Sequence, residues 1–432
     1  MYVAELDRPW LDTPFLLEGV LLRNQAELAT LSRYCQWVYV DLWYSTEEAA
    51  DAIRAAAATA TPEDNARAAA CKVGASAPSA ASTLSALALD LPAGLRLQSY
   101  AEPAPIEAAL PRANQSWSRG ADTLRTLMDD LRDDTHSELR DVDQVADDLV
   151  ASMIETPDAM LWVARLRNED QGAYQHCLKV AIYLVALGRH MGFPRDDLVR
   201  LGLTGMLADV GKIQLPRALL EKPGMLTPGE HDVVKKHVQL GIDALRKSMT
   251  IDPSVEQGIL QHHERIDGSG YPQGLQGKEI GIYGRMTAIA DCFAALITDR
   301  PYAKAVAPQE ALMLMSKWCG TSFHEALLEQ FVQAIGVFPV GSLVELSNDE
   351  IAVVLAHNRV RRLEPRVLVL AGPDRRQLDT PFERDLLIGP VDSAGNPIRI
   401  ARGLPAGAHG LKPRDYYAED AAPRDEPLVA AG

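Results

Sequence analysis

From Leu161 to about Val337 the chain is predicted to be helix after helix, and a few polar residues sit where an apolar helix should not tolerate them. His176 opens HCLKVAIYLVALGRH, where Val180, Tyr183, Leu184 and Leu187 continue its face at helical spacing. Asp209 lies inside LTGMLADVGKI and Asp291 inside MTAIADCFAALI, both runs otherwise nearly all apolar. A carboxylate in such a run is costly unless a cation or several donors compensate it. His237 follows a marked helix start, with Thr227 as N-cap, Pro228 in the first turn and Glu230 completing a capping box. His262 and His263 end the SVEQGILQHH helix and lead into ERIDGSGYP, a glycine-rich loop that lets a ligand approach the backbone.

Each of these residues alone has a bland explanation, as a surface histidine, a cap or an ion-pair partner. Six of them on successive helices of one segment point to a divalent metal, because imidazole and carboxylate together suit first-row ions such as Fe, Mn, Ni or Zn. Two such ions about 3.5–4 Å apart, sharing a carboxylate, suit phosphoester hydrolysis. The rest of the composition narrows the class. A net charge of −16 argues against a binder of polymeric nucleic acid or of anionic membranes, so an anionic substrate needs a local cluster of metal or Lys/Arg. Five cysteines, at 35, 71, 177, 292 and 319, form no CxxC pair and predict a reducing, cytoplasmic setting. No apolar run is long enough to span a bilayer.

Flanking segments read differently. MYVAEL and WVYVDLW read as strands and NQAELATLSRYC as a helix, giving a small α/β N-terminal domain over 1–45, with Trp10 and Phe15 as core. Residues 46–108, rich in Ala, Ser and Pro, read as a flexible linker. Connecting helices are expected over 109–160, with Leu124, Leu127 and Leu131 on one face. A β-hairpin or small sheet with an Asn-Asp turn is expected over 338–400, and a disordered tail over 401–432. The fold class is therefore mainly α, a helical domain over 161–337 with a small α/β domain before it and a short β-rich tail after it.

The ordered motifs HCLKVA (176–181), ADVGKIQLP (208–216), KKHVQLG (235–241), HERIDGSGYPQGLQGKEI (263–280) and ADCFAALITDRPYAKA (290–305) strongly resemble the HD-GYP domain of the HD phosphohydrolase superfamily. The resemblance spans roughly 160–340, and residues 1–45 look like the small domain often found upstream of it. It implies an all-helical domain that uses two divalent transition-metal ions, Fe, Mn or similar, to hydrolyse the bacterial second messenger cyclic di-GMP to pGpG or GMP. Carried over, His176, Asp209, His237, His262, His263 and Asp291 match the metal ligands, with Asp209 bridging. Lys212 matches a lysine near the reacting phosphate, a catalytic role beside Asp209. Arg300, Tyr302 and Lys304 match the substrate-facing end, and Gly268, Gly270, Tyr271 and Pro272 match the GYP loop, implicated in contacts with partners such as a diguanylate cyclase. A homodimer is a further partner state compatible with this reading.

The sequence departs from the family pattern in one pocket. Ala208 stands where the histidine of the His-Asp pair is expected, which leaves His176, Asp209 and Asp291 for that metal. Gly172 stands where members with a third metal carry an acid, Ala294 replaces a second Asp, and Ala303 replaces a basic residue. The alternative to a phosphodiesterase is thus an impaired module that acts as a cyclic di-GMP receptor or docks a protein; a structural domain with relic histidines is the third reading.

Overall fold

The computed structural model describes residues 2–6, 20–21, 25–35, 38–41, 91, 95–100, 106–133, 139–167, 173–248, 250–301, 303–358 and 363–411. Near the N-terminus, β1 (Tyr2–Leu6) pairs antiparallel with β2 (Val20–Leu21) and with β3 (Val38–Asp41), in the order β2-β1-β3. Helix α1 (Gln25–Tyr34) connects β2 to β3, and Val3 and Leu31 are buried. Trp10 and Phe15 lie outside the described residues, as do 46–90 of the expected linker.

The end of that linker is ordered. Gln98 N–H donates to Gly192 O at 2.7 Å and Tyr100 OH to Phe193 O at 2.5 Å. Leu95 and Leu97 pack with Tyr100 against the core, an alternation that the Ala/Ser/Pro composition upstream conceals. Helix α2 (Ile106–Arg132) begins inside the segment read as linker. Its stripe of Leu124, Leu127, Met128 and Leu131 is buried, as the spacing of the leucines predicts. With α3 (Leu139–Glu155) and α4 (Pro157–Leu166) it joins the same hydrophobic core as the following helices. The boundary drawn at 160/161 therefore falls inside α4.

The centre of the core is α5 (Ala173–His190), apolar nearly all round: Leu178, Ala181, Ile182, Leu184 and Val185 are all essentially inaccessible. A helix with this pattern must be surrounded. It packs on α6 (Arg195–Leu207) and on α11 (Ile282–Leu296). Between these come a 3₁₀ turn (Val210–Gln214) and the short α7 (Arg217–Leu220). Next are α8 (Pro228–Lys235), α9 (His237–Ser248) and α10 (Pro253–Gln261). Helices α12 (Pro308–Lys317) and α13 (Glu325–Ile335) complete the layer. Tyr183, Phe293 and Phe331 meet edge to face with centroids 5.1–6.2 Å apart, which locks α5, α11 and α13 together.

The C-terminal region is an antiparallel sheet of five strands in the order β7-β6-β5-β4-β8. Its strands are β4 (Leu343–Leu346), β5 (Ile351–Ala356), β6 (Arg366–Ala371), β7 (Gln377–Asp385) and β8 (Ile400–Leu404). The Asn-Asp turn joins β4 to β5, with Asp349 at φ 65°. The tail read as disordered from 401 is ordered to Leu411: β8 pairs with β4, and Gly403 N–H donates to Gln309 Oε1 at 2.9 Å on α12. Long-range pairing of this kind leaves no local signature in an Arg- and Gly-containing strand. Residues 412–432 are outside the described set.

Candidate metal centre

Asp209 begins the 3₁₀ turn that follows α6, with its side chain 4% exposed. Gly211 lies against α9 so closely that a Cβ there would sit 2.0 Å from His237 O and 2.4 Å from Gly241 N. Only glycine allows that approach, which brings Asp209 up to His237 at the start of α9. His262 caps the C-terminal end of α10 and His263 follows it. The capping box predicted at Thr227 and Glu230 is present.

Two groups of ligand atoms result, each with its atoms within 4.8 Å of one another: Asp209, His237, His262 and His263 in one, His176, Asp209 and Asp291 in the other. Asp209 belongs to both and gives each a different oxygen. Its Oδ1 lies 3.3 Å from His237 Nε2 and 3.8 Å from His262 Nε2, and its Oδ2 lies 3.7 Å from His176 Nε2 and 2.6 Å from Lys212 Nζ.

The tautomers in the three-histidine group follow from backbone acceptors. His237 Nδ1–H donates to Val234 O at 2.7 Å, and His262 Nδ1–H to Ile259 O at 2.6 Å. A carbonyl can only accept, so each neutral ring keeps its lone pair on Nε2, turned toward Asp209. Both rings are fully buried, and neither Nε2 has a hydrogen-bond partner, nor does Asp209 Oδ1. Three buried acceptors converging without a donor are what a bound cation would satisfy. His176 differs: its Nε2–H donates to Asp291 Oδ1 at 2.8 Å.

Electrostatics agree with an ionised, cation-accepting site. Burial pushes the Asp209 carboxyl up, but Lys212 and the flanking imidazoles hold it well below the usual range. Burial likewise opposes ionisation of Asp291, and the hydrogen bond from His176 outweighs it and holds Asp291 low. His263 is driven well below the usual imidazole value by burial and by the neighbouring His262, which keeps it neutral and able to ligate. Lys212 loses solvation but is raised by Asp209 and Asp291, so it keeps its charge.

The loop after the histidines is folded back on them. Gly270 passes so near Glu264 and Arg265 that a Cβ would sit 2.4 Å from Arg265 N, and Gly268 adopts φ +82°. Tyr271 stacks on the His263 ring at 4.6 Å, and its N–H donates to His263 O at 3.2 Å; Pro272 follows it through a cis peptide. Two residues unassigned in the sequence matter here. Glu264, 1% exposed, accepts from Gln273 N–H at 2.7 Å and Leu275 N–H at 3.0 Å and so pins the loop. His231 meets Tyr271 edge to face at 6.2 Å. No sequence signal flags Glu264, because only the structure shows that this acid beside a glycine-rich stretch is buried.

The substrate-facing residues are not all brought in. Arg300 is half-buried, bonded through its backbone to Ala303, and its charge reaches Lys212. Lys304 is instead 91% exposed and pairs with Asp299 at 3.3 Å. Tyr302 and Gly172 lie outside the described residues. Ala208 and Ala294 are both buried, and their methyl groups offer no ligand atom. No helix among the described residues is long and apolar enough to cross a membrane.

Residues 163–326 match the family described as HD domain, and residues 1–142 match a domain of unknown function, DUF3391. A cyclic di-GMP phosphodiesterase of Pseudomonas aeruginosa is 33% identical over 375 residues, which cover 85% of this chain and 82% of that protein. A cyclic di-GMP phosphodiesterase of Thermotoga maritima is 34% identical over 38% of this chain and 45% of its own length. A 3'3'-cGAMP-specific phosphodiesterase of Vibrio cholerae is 35% identical over 39% of this chain and 32% of its own.

Proposed function

The chain belongs to the HD-GYP family of cyclic di-GMP phosphodiesterases, and from that premise we propose that it is a metal-dependent hydrolase of the phosphodiester bonds of cyclic di-GMP, yielding pGpG or GMP. The observation that carries this reading is the convergence of the Nε2 atoms of His237 and His262 on Asp209 Oδ1, all three buried and without a donor.

In this reading His237, His262, His263 and Asp209 hold one ion, and His176, Asp209 and Asp291 hold the other. Bound there, a pair of divalent ions such as Fe or Mn supplies Lewis acidity toward a phosphoryl oxygen and lowers the pKa of water. The protein's own groups do the rest. Asp209 keeps both carboxylate oxygens ionised, one toward each half. Lys212 holds a positive charge 2.6 Å from Asp209 Oδ2, placed to offset charge that develops on a phosphate. Arg300, whose charge reaches that lysine, adds a planar fork for phosphate or guanine. Tyr271 and Glu264 hold His263 and the loop in place.

Mn- or Fe-loaded protein incubated with cyclic di-GMP should release the linear dinucleotide or GMP. No product after prolonged incubation of a fully loaded sample would sink the reading.

A second reading has one specific observation behind it: one group has only three ligands, and Ala208, next to Asp209 in the chain, and Ala294, three residues after Asp291, are buried and offer no ligand atom to it. On it, the chain binds cyclic di-GMP without turnover as a receptor, and the GYP-loop face docks a diguanylate cyclase or another cytoplasmic signalling protein. Calorimetry that shows tight binding with no hydrolysis selects this reading.

A further inference from the structure

The helical layer buries a second group of charges that the metal centre does not use. Arg165, in the last turn of α4, is 7% exposed, and Lys179, three residues beyond His176 on α5, is 2% exposed. The Arg165 stem lies across the backbone of Gly341, in the turn that leads into β4: a Cβ there would sit 2.9 Å from Arg165 Cβ. A guanidinium has five N–H donors and stays protonated in proteins. Arg165 Nε and Nη1 nevertheless find no acceptor among the described residues. The hydroxyl of Tyr183, one turn after Lys179, is buried against the Arg165 guanidinium and hydrogen-bonds with it, whereas the hydroxyl of Ser342, next to Gly341, is buried without a hydrogen-bond partner.

The electrostatics point the same way. Burial lowers the pKa of Arg165; the Tyr183 hydroxyl beside it opposes that shift in part, and among the described residues no carboxylate does. Lys179 is pulled down to about 7, first by burial and then by the charge of Arg165. A buried cation without a counter-charge is among the most destabilising features a core can carry, and native proteins are only marginally stable. The usual compensations are a carboxylate or a carbonyl, and Arg165 has neither at Nε and Nη1.

We propose that Arg165 and Tyr183, with Lys179 supplying a second positive charge and Ser342 at the edge, hold a small inorganic anion of chloride size where α4, α5 and the turn before β4 meet. The enclosure sets the size: all four side chains belong to residues no more than 7% exposed, which suits a halide and leaves no route for a nucleotide phosphate. The ion ties the helix that carries His176 to the C-terminal sheet and stands apart from the metal centre. Buried waters are the competing occupant, and they do not respond to the identity of the salt.

The test is a thermal melt of the full chain in chloride and in gluconate at one ionic strength, beside the Arg165→Met variant. The wild type should melt about 5 °C higher once chloride is far above its dissociation constant. Arg165→Met should melt at the same temperature in both salts. If the variant does not fold, wild-type crystals grown in bromide should show an anomalous peak within hydrogen-bonding reach of the Arg165 guanidinium. Equal salt responses in both proteins, a variant that outmelts the wild type in chloride, or the absence of that peak would overturn the proposal.

Discussion

The two halves of the ligand cluster share Asp209 but are prepared in opposite ways. In the three-histidine half, backbone carbonyls hold the Nδ1 protons of His237 and His262, so both Nε2 lone pairs face the shared carboxylate with nothing to accept from. In the other half, His176 spends its Nε2 proton on Asp291, and that pair closes on itself. A cation entering the first half displaces no hydrogen bond at His237 or His262. One entering the second must shift the ring proton of His176 from Nε2 to Nδ1 and break a hydrogen bond to a carboxylate worth on the order of 2 kcal/mol. The same imidazole group thus gives a poised site in one place and a latched one in the other, and the difference lies in which ring nitrogen holds the proton.

The largest effect should come from removing what the halves share. Asp209→Asn should lower cyclic di-GMP hydrolysis on the order of 10³-fold or more and lower metal content in both halves, read by turnover and by elemental analysis of the same sample. Retention of both ions would break the comparison at its base. Next, His262→Ala and His176→Ala should separate the halves. The first should abolish the tighter step of a metal titration and the second only the weaker one; equal losses would show that the halves do not differ.

Ala208→His sharpens the contrast by supplying a ligand beside the latched half. It should raise the affinity of the weaker step about 10-fold and increase turnover in parallel, measured by the same titration. An unchanged titration would mean that Ala208 is not what limits that half. The smallest effect on the centre should come from Glu329→Gln on α13. Burial, with Glu325 beside it, raises the Glu329 carboxyl to about 7. Its folded-state pKa exceeds the unfolded value, so the protein loses stability as pH rises from about 4.5 to about 7 and stays penalised above that. The glutamine variant should be more stable at pH 8 by on the order of 2 kcal/mol, nearly unchanged at pH 4, and unaltered in metal content. Denaturant melts at the two pH values check it.

The six residues that converge in the candidate centre were legible because imidazoles and carboxylates on apolar helices contradict their surroundings, and such contradictions survive without coordinates. The loop was legible as glycine-rich. That Glu264 pins it was not, since an acid among glycines reads the same whether it is solvated or buried under two backbone donors. Lys304 shows the converse: chain position beside Arg300 suggests a substrate contact, and the side chain turns outward to Asp299. The ordered stretches 95–100 and 401–411 were hidden for one reason. Each is held by partners far away in sequence, at Gly192 and Phe193 for the first and at β4 and Gln309 for the second.

By itself the sequence determined the helical domain, the capping box, the stripe on α2 and which residues can bind a cation, because periodicity and burial cost are properties of neighbouring residues. Tertiary structure alone decided that Asp209 gives one oxygen to each half, that His237 and His262 present free Nε2 atoms, and that His176 is latched to Asp291. Those outcomes depend on distances of about a hydrogen bond between elements far apart in the chain, set by close backbone approaches such as that of Gly211 to α9.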